Sequence, residues 1–68
     1  MANYYVNRTA QTNGDHEVHK QGCTWLPNSQ NRIDLGYQAS DAAALRAARR
    51  YFTRVDGCRF CCPSIHRH

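Results

Sequence analysis

Four cysteines and four histidines in 68 residues are the side chains of this sequence that are best suited to metal chemistry. Cys58 and Cys61 form a C-x2-C pair, and this spacing lets both sulfurs turn toward one point and supply half of a tetrahedral zinc site. His19 and Cys23, with three residues between them, offer a second pair. The combined pattern predicts one structural zinc ion bound by His19, Cys23, Cys58 and Cys61.

Two alternatives to this site remain open at the level of sequence. The cysteines are also compatible with a disulfide from Cys23 to Cys58 or Cys61, or with free buried thiols. The fourth ligand has rivals to His19 in His16, Cys62 and His66.

Each rival has an argument against it. If HEVH is a strand, His16 and His19 lie on opposite faces and do not bind one ion together. Cys62 directly follows Cys61 and is expected to be a small buried hydrophobic residue. His66 belongs to a tail, residues 64 to 68, that we expect to be mobile.

The stretch HEVHKQGC, residues 16 to 23, also raises the question of a hydrolytic enzyme. A metalloprotease signature is H-E-x-x-H on a helix, whereas the spacing here is H-E-x-H in a strand-like segment. Three thiolates and an imidazole also leave zinc no open position for an activated water. We therefore predict that the protein is not an enzyme, and that Glu17 is a solvated strand residue or a hydrogen-bond partner of a ligand.

Short strands are expected to position the first ligand pair. Strand-forming residues occur at 4 to 7, at HEVH and at 32 to 37, and Asn13-Gly14 is a strong turn dipeptide between the first two. The segment from Cys23 to Asn31 has the composition of a loop. The first two strands are expected to pair in antiparallel fashion.

One helix is expected to lead to the second ligand pair. Ser40 is a good N-cap, Asp41 suits the positive end of the helix dipole, and residues 41 to 55 have high helix propensity. Gly57 stands where a C-cap glycine is expected. An apolar stripe at helical spacing predicts the buried face, and it consists of Ala44, Leu45, Ala48, Tyr51, Phe52 and Val55.

These elements predict a small α+β domain spanning residues 1 to 68, with an antiparallel sheet of two to three strands, one main C-terminal helix and a metal cross-link. A chain of this size buries only about 60% of its unfolded surface, so a cross-link adds needed stability.

The sequence shows no secretory signal and no apolar run of membrane-spanning length. We expect a monomer in a cytoplasmic, reducing compartment with no membrane association, where clustered cysteines favour metal over disulfides.

The net charge of +4 is uneven along the chain. Residues 1 to 45 carry three basic and four acidic groups, whereas residues 46 to 68 carry six arginines against Asp56 alone. On a helix over 41 to 55, the side opposite the apolar stripe carries Arg46, Arg49, Arg50 and Arg54. These arginines are candidates for phosphate contacts with nucleic acid, or form the solvated face of a helix.

The segments VHKQGC, LGYQASDAAALRAARR and GCRFCC resemble the zinc-binding domain of Ada-type DNA repair proteins and related small modules on some bacterial nucleases. The resemblance covers about residues 16 to 63, with a longer segment between the ligand pairs, and implies a small α+β fold around one zinc. In the repair proteins the first ligand is a cysteine that accepts a methyl group from a DNA phosphotriester. Because His19 stands at that position, we expect this methyl transfer to be absent here.

The sequence therefore favours a non-catalytic zinc-binding module that binds a partner, either another protein or nucleic acid. A nucleic-acid-binding protein that uses its basic helix face is the alternative. A methyl-accepting repair domain is disfavoured by His19.

Overall fold

The computed structural model describes residues 2 to 67, which fold into one sheet and one α-helix. Two short 3-10 turns, Ser29–Asn31 and Pro63–Ile65, lie in the connections. No helix within this part of the chain is long and apolar enough to cross a membrane. The regular elements, in chain order, are β1 (Ala2–Asn7), β2 (His16–Lys20), β3 (Arg32–Gln38), α1 (Asp41–Ala48) and β4 (Val55–Gly57).

The four strands form one sheet in the order β3-β1-β2-β4. The central pair is the expected antiparallel hairpin, with Tyr5 opposite His19 and Val6 opposite Val18. On its other side β1 pairs with β3, also antiparallel, with a register shift between Tyr4 and Tyr5. The α+β class is thus confirmed, but the sheet is larger than the two to three strands expected.

The fourth strand corrects the prediction of a wholly antiparallel sheet, because β4 pairs with β2 in parallel. Val55 lies opposite His16, and Gly57 lies opposite Val18. Val55–Gly57 follows residues of high helix propensity, and it forms a strand because the edge of β2 offers its backbone groups to this segment. Such non-local pairing routinely overrides local propensity.

The helix is accordingly shorter than expected and ends at Ala48 rather than Val55. Ala44, Leu45 and Ala48 are buried as predicted, whereas Tyr51 is 54% exposed. Phe52 leaves the helical path, and its ring stacks on His16 at a centroid distance of 3.6 Å. Gly57, predicted as a helix C-cap, belongs to β4 instead.

The core lies between one face of the sheet and the helix. Apolar burial of this kind is the main source of stability in a domain of this size. The buried apolar residues come from every part of the chain and are Tyr4, Val6, Val18, Leu35, Ala44, Leu45, Ala48, Cys62 and Ile65.

The start of α1 is held by a polar network that crosses the core. Ser40 caps the helix as predicted, since its Oγ accepts from the Ala43 N–H at 3.1 Å. Asp41, expected only to face the helix dipole, accepts hydrogen bonds from the hydroxyl of buried Tyr4 and from Ser64 at 2.9 Å. The Lys20 ammonium lies 3.5 Å from the same carboxylate.

This network sets the protonation states of Tyr4 and Asp41, the two partners of the hydrogen bond at its centre. Burial and the neighbouring Asp41 raise the pKa of Tyr4, so the phenol stays protonated and donates. Burial acts to raise the pKa of Asp41, but the hydrogen bonds from Tyr4 and Ser64 outweigh it and lower the pKa. Ionised Asp41 therefore stabilises the fold above the usual carboxyl pKa, and this contribution is lost as pH falls through the lowered pKa.

The C-terminal segment returns to the sheet. Ile65 is 7% exposed and packs in the core. The backbone N–H of Arg67 donates to Asp56 Oδ1 at 2.7 Å, and His66 Nδ1 lies 3.2 Å from Asp56 Oδ2. The mobility expected for residues 64 to 68 stays a prediction, and His68 lies outside the described residues.

Replacing Tyr4 by Phe tests the network across the core. We expect Tyr4→Phe to lower the free energy of unfolding by about 1–3 kcal/mol, because the part-buried carboxylate of Asp41 loses its buried donor. Urea unfolding at neutral pH measures the change. Tyr37→Phe is the matched control, since Tyr37 is 64% exposed, and an equal loss in both variants would contradict the assignment.

Candidate metal centre

Four side chains from two distant parts of the chain meet at one point. One potential ligand atom from each of His19, Cys23, Cys58 and Cys61 lies within 4.8 Å of all the others. The Cys23 and Cys58 sulfurs are 3.8 Å apart, and Cys61 Sγ lies 4.0 Å from His19 Nδ1. Ligands bound at 2.0–2.3 Å around a tetrahedral ion are separated by roughly 3.5–3.8 Å. The cluster is thus close to the geometry that such an ion requires.

The disulfide alternative does not describe this cluster. All four cysteines are free, and the 3.8 Å between Cys23 and Cys58 is far longer than a sulfur–sulfur bond. The predicted four residues therefore form a His/Cys group that can hold a metal ion.

The first arm of the site is the end of β2 and the turn that follows it. β2 places His19 in the sheet, where it is 1% exposed. Gly22 has φ of +90°, a conformation that favours glycine, and the Cys23 N–H donates to Lys20 O at 3.2 Å. The tight turn brings Cys23 back beside His19, which explains the three-residue spacing between these two ligands.

The second arm is placed by the parallel strand pairing. The Cys58 N–H continues the β2–β4 ladder by donating to Val18 O at 2.9 Å, so Cys58 lies next to His19. A turn then leads to Cys61, closed by the Cys62 N–H bond to Cys58 O at 2.9 Å. The Lys20 backbone N–H donates to Cys61 Sγ at 3.3 Å and joins the two arms directly.

Gly57 has a structural role that spacing did not indicate. A Cβ at this position would lie 2.4 Å from Ile65 Cγ1 and 2.7 Å from Cys62 O. No real side-chain carbon approaches other atoms so closely, so glycine is required for the segment after Cys61 to fold back over β4. The same close approach fixes the turn that carries Cys58 and Cys61.

Burial shifts the pKa of two of the candidate ligands, His19 and Cys61. Burial lowers the pKa of His19, against the opposing effect of Glu17, and so favours the neutral imidazole that metals bind. Burial raises the pKa of the Cys61 thiol, although the Lys20 N–H bond opposes this shift. Metal binding at this thiol therefore displaces a proton, and acid favours the metal-free form.

Glu17 lies beside the site, on the same face of β2 as His19. Its Oε1 is 3.4 Å from His19 Nε2, on the side of the ring opposite the thiols. No hydrogen-bond partner reaches this buried Nε2. Carboxylates in this position orient a ligating imidazole and increase its basicity. Glu17 is half-buried beside His19 rather than fully solvated, but no hydrogen bond joins the two side chains, so its role as a partner of a ligand stays a prediction.

The three rival ligands occupy other positions. His16 stacks on Phe52, and its Nδ1 bonds Asn7 O at 2.8 Å. His66 Nδ1 bonds Gly57 O at 2.9 Å. Cys62 is fully buried in the core, as expected for a small hydrophobic residue, and burial raises its pKa to about 11.

The four candidate nucleic-acid residues are all exposed but do not share one helix face. Arg46 lies on α1 and Arg49 caps its end, whereas Arg50 and Arg54 follow the helix. Arg54 lies 3.2 Å from buried Asp15 and is an ion-pair partner rather than a free cation. The prediction of one basic helix face is therefore wrong, because it assumed a helix that continues to residue 55.

An aromatic pair that was not predicted from the sequence lies beside the candidate metal ligands. Trp25 and Phe60 are 61% and 66% exposed, and their ring centroids are 5.5 Å apart. Together with Glu17 and Cys58 they line a mainly apolar pocket of about 350 Å³. Trp25 and Phe60 each lie within two positions of a candidate cysteine ligand. This proximity is the signal in the sequence that could have indicated the pair.

Alanine at Gly57 tests the close approach behind the second arm. We expect Gly57→Ala to lower the free energy of unfolding by roughly 1–3 kcal/mol through overpacking against Ile65 and Cys62. Gly22→Ala is the comparison, because nothing lies within 4 Å of a Cβ there and only backbone strain is added. Chemical denaturation measures both, and a smaller loss at Gly57 than at Gly22 would refute the packing argument.

The variant Glu17→Gln tests whether Glu17 orients the His19 imidazole. We expect metal affinity to fall about 10-fold, because the imidazole loses a carboxylate beside its second nitrogen. Competition with a chromophoric chelator measures the affinity. Asp34→Asn removes an exposed charge remote from the ligands and is the control. Equal affinities for the Glu17→Gln and Asp34→Asn proteins would rule out this role.

Comparisons with known proteins assign the chain to no family. No protein-family model matches it, and no curated protein and no solved structure shows significant similarity to it. The resemblance to the Ada-type zinc domain stays a prediction that is carried by the motifs alone. The site itself is therefore the basis on which function is argued.

Proposed function

We propose that the protein is a small, non-catalytic module that is held together by one structural zinc ion and serves as an interaction domain. The observation that carries the proposal is the convergence of His19, Cys23, Cys58 and Cys61 on one point. Three thiolates and one imidazole favour zinc over magnesium or calcium, which prefer oxygen ligands.

A structural role is supported by the completeness of the ligand set. Catalytic zinc sites keep three protein ligands and an open position for water, whereas structural sites have four. His19 and Cys58 are each 1% exposed, which further restricts access of a substrate to the ion. Both features favour a closed ion that holds the fold.

The location of the site also supports coupling between metal and folding. The ion would join the turn after β2 to the segment after β4, and Cys23 and Cys58 on these segments are 35 positions apart in the sequence. Closing a loop of this length contributes several kcal/mol in the chain-entropy description of cross-links. Small domains with such a site commonly unfold when the metal is removed.

An interaction role is supported by the aromatic pair beside the ligands. Exposed Trp25 and Phe60 present apolar surface on the two ligand-bearing segments. Aromatic residues of this kind are enriched at the centres of protein interfaces. The metal would hold both rings in place, because each belongs to a segment that the metal anchors.

Metal analysis with two cysteine variants tests the structural zinc. We expect about one equivalent of zinc in protein purified without added metal, and unfolding when a chelator removes it. Cys58→Ser should lose the metal and the cooperative fold. Cys62→Ala should keep one equivalent, because Cys62 packs in the core outside the ligand group. Mass spectrometry of the native protein and circular dichroism provide the two readouts.

Three results would argue against the proposal. They are native protein without metal, metal content that is equal in the two cysteine variants, and a fold that is unchanged by complete chelation. Absorption of the cobalt-substituted protein distinguishes tetrahedral thiolate ligation from a site of another geometry.

A further inference from the structure

A second site lies away from the metal ligands, where the end of β3 meets α1. A pocket of about 360 Å³ is lined there by Gln38, Ala43, Arg46, Ala47 and Arg50. Two of these five residues carry a guanidinium group and none carries a carboxylate. The lining is therefore cationic and rich in hydrogen-bond donors.

Local structure explains why this surface is concave. Ala43 and Ala47 are one helical turn apart, and their small side chains leave a depression on α1. Arg46 extends from the last turn of the helix. The Arg50 N–H still bonds Ala47 O at 3.2 Å, so the chain keeps Arg50 beside the helix after α1 has ended.

The opposite wall of the pocket is also ordered. Gln38 Nε2 donates to Leu35 O at 2.6 Å, which fixes the orientation of its amide at the end of β3. The fixed Gln38 amide gives the pocket one polar group of defined orientation, beside two long, flexible arginine side chains. The pocket thus combines charge with one oriented amide.

The two guanidinium groups lack an acidic partner within residues 2 to 67, where no ion pair joins Arg46 or Arg50 to a carboxylate. Asp41, in the first turn of the same helix, is engaged by Tyr4, Ser64 and Lys20. Arg54, by contrast, is paired with Asp15. Arg46 and Arg50, which line the pocket, are therefore free to bind an anion.

We propose that this Arg46–Arg50 pocket binds the phosphate group of a phosphorylated ligand. Guanidinium groups match phosphate oxygens with paired, charge-assisted hydrogen bonds. The pocket is larger than a single phosphate group requires, so it has room for part of the molecule that bears it. This site goes beyond the structural zinc and does not depend on which metal the His/Cys group holds.

Titration of the intact, metal-loaded protein tests the phosphate site by 1H–15N spectra at constant low ionic strength. The probes are inorganic phosphate, a 5′-mononucleotide and a short oligonucleotide. We expect saturable shifts centred on Gln38, Ala43 and Ala47. Arg46→Gln and Arg50→Gln should each weaken binding about tenfold or more, because each removes charge-assisted bonds. Arg49→Gln is the matched control, since it removes the same charge from an exposed neighbour that does not line the pocket.

The pattern across the probes identifies the source of the phosphate. Binding of phosphate and mononucleotide that is lost in the pocket variants indicates a small phosphorylated ligand. Binding of the oligonucleotide alone, lost in the same variants and kept in Arg49→Gln, indicates a backbone phosphate at the same site. An absence of saturable shifts with all three probes overturns the proposal, and so does an equal loss of binding in Arg49→Gln. Neither result changes the zinc content, so failure here is distinct from failure of the structural zinc proposal.

Discussion

The architecture depends on the parallel pairing of β4 with β2. The bond from the Cys58 N–H to Val18 O carries this ladder up to the metal ligands, and it places Cys58 beside His19. Without that pairing, a C-x2-C turn and an H-x3-C turn would be two half-sites at unrelated positions. The β2–β4 pairing holds the two ligand-bearing segments in contact, and a bound ion would hold the same two segments together. Such mutual support is how a domain with a small core gains cooperativity.

The segment from Gly57 to Cys62 faces two environments at once. Cys58 and Cys61 turn toward the ligand cluster, whereas Cys62 is fully buried in the apolar core. The fold permits this because Gly57 has no side chain to separate β4 from Ile65. A disturbance of the metal site is therefore transmitted directly to core packing, through a turn of only a few residues. This arrangement gives a physical reason to expect metal binding and folding to be one process.

The His/Cys group was predictable because short-range spacing indicates it: two cysteines have two residues between them, and strand alternation separates His16 from His19. The hairpin and the Ser40 cap were predictable for the same reason, since their signals are local. β4 was not, because Val55–Gly57 has three residues, too few for a period, and follows a run of strong helix formers. Its strand state arises from pairing with a distant edge, which local propensity does not report. The error in the helix end then displaced the expected positions of Tyr51, Arg50 and Arg54.

The distribution of charge follows from how the fold uses its few acids. Asp41 accepts from Tyr4 and Ser64, Asp15 pairs with Arg54, and Glu17 lies against His19. Of these three acids, Asp15 pairs with an arginine of the C-terminal third, whereas Asp41 and Glu17 have other partners. Part of the net positive charge is therefore exposed at Arg46 and Arg50, which line one pocket. A cationic pocket on the helix and an aromatic surface at the metal ligands are thus both consequences of how the core and the metal site are built.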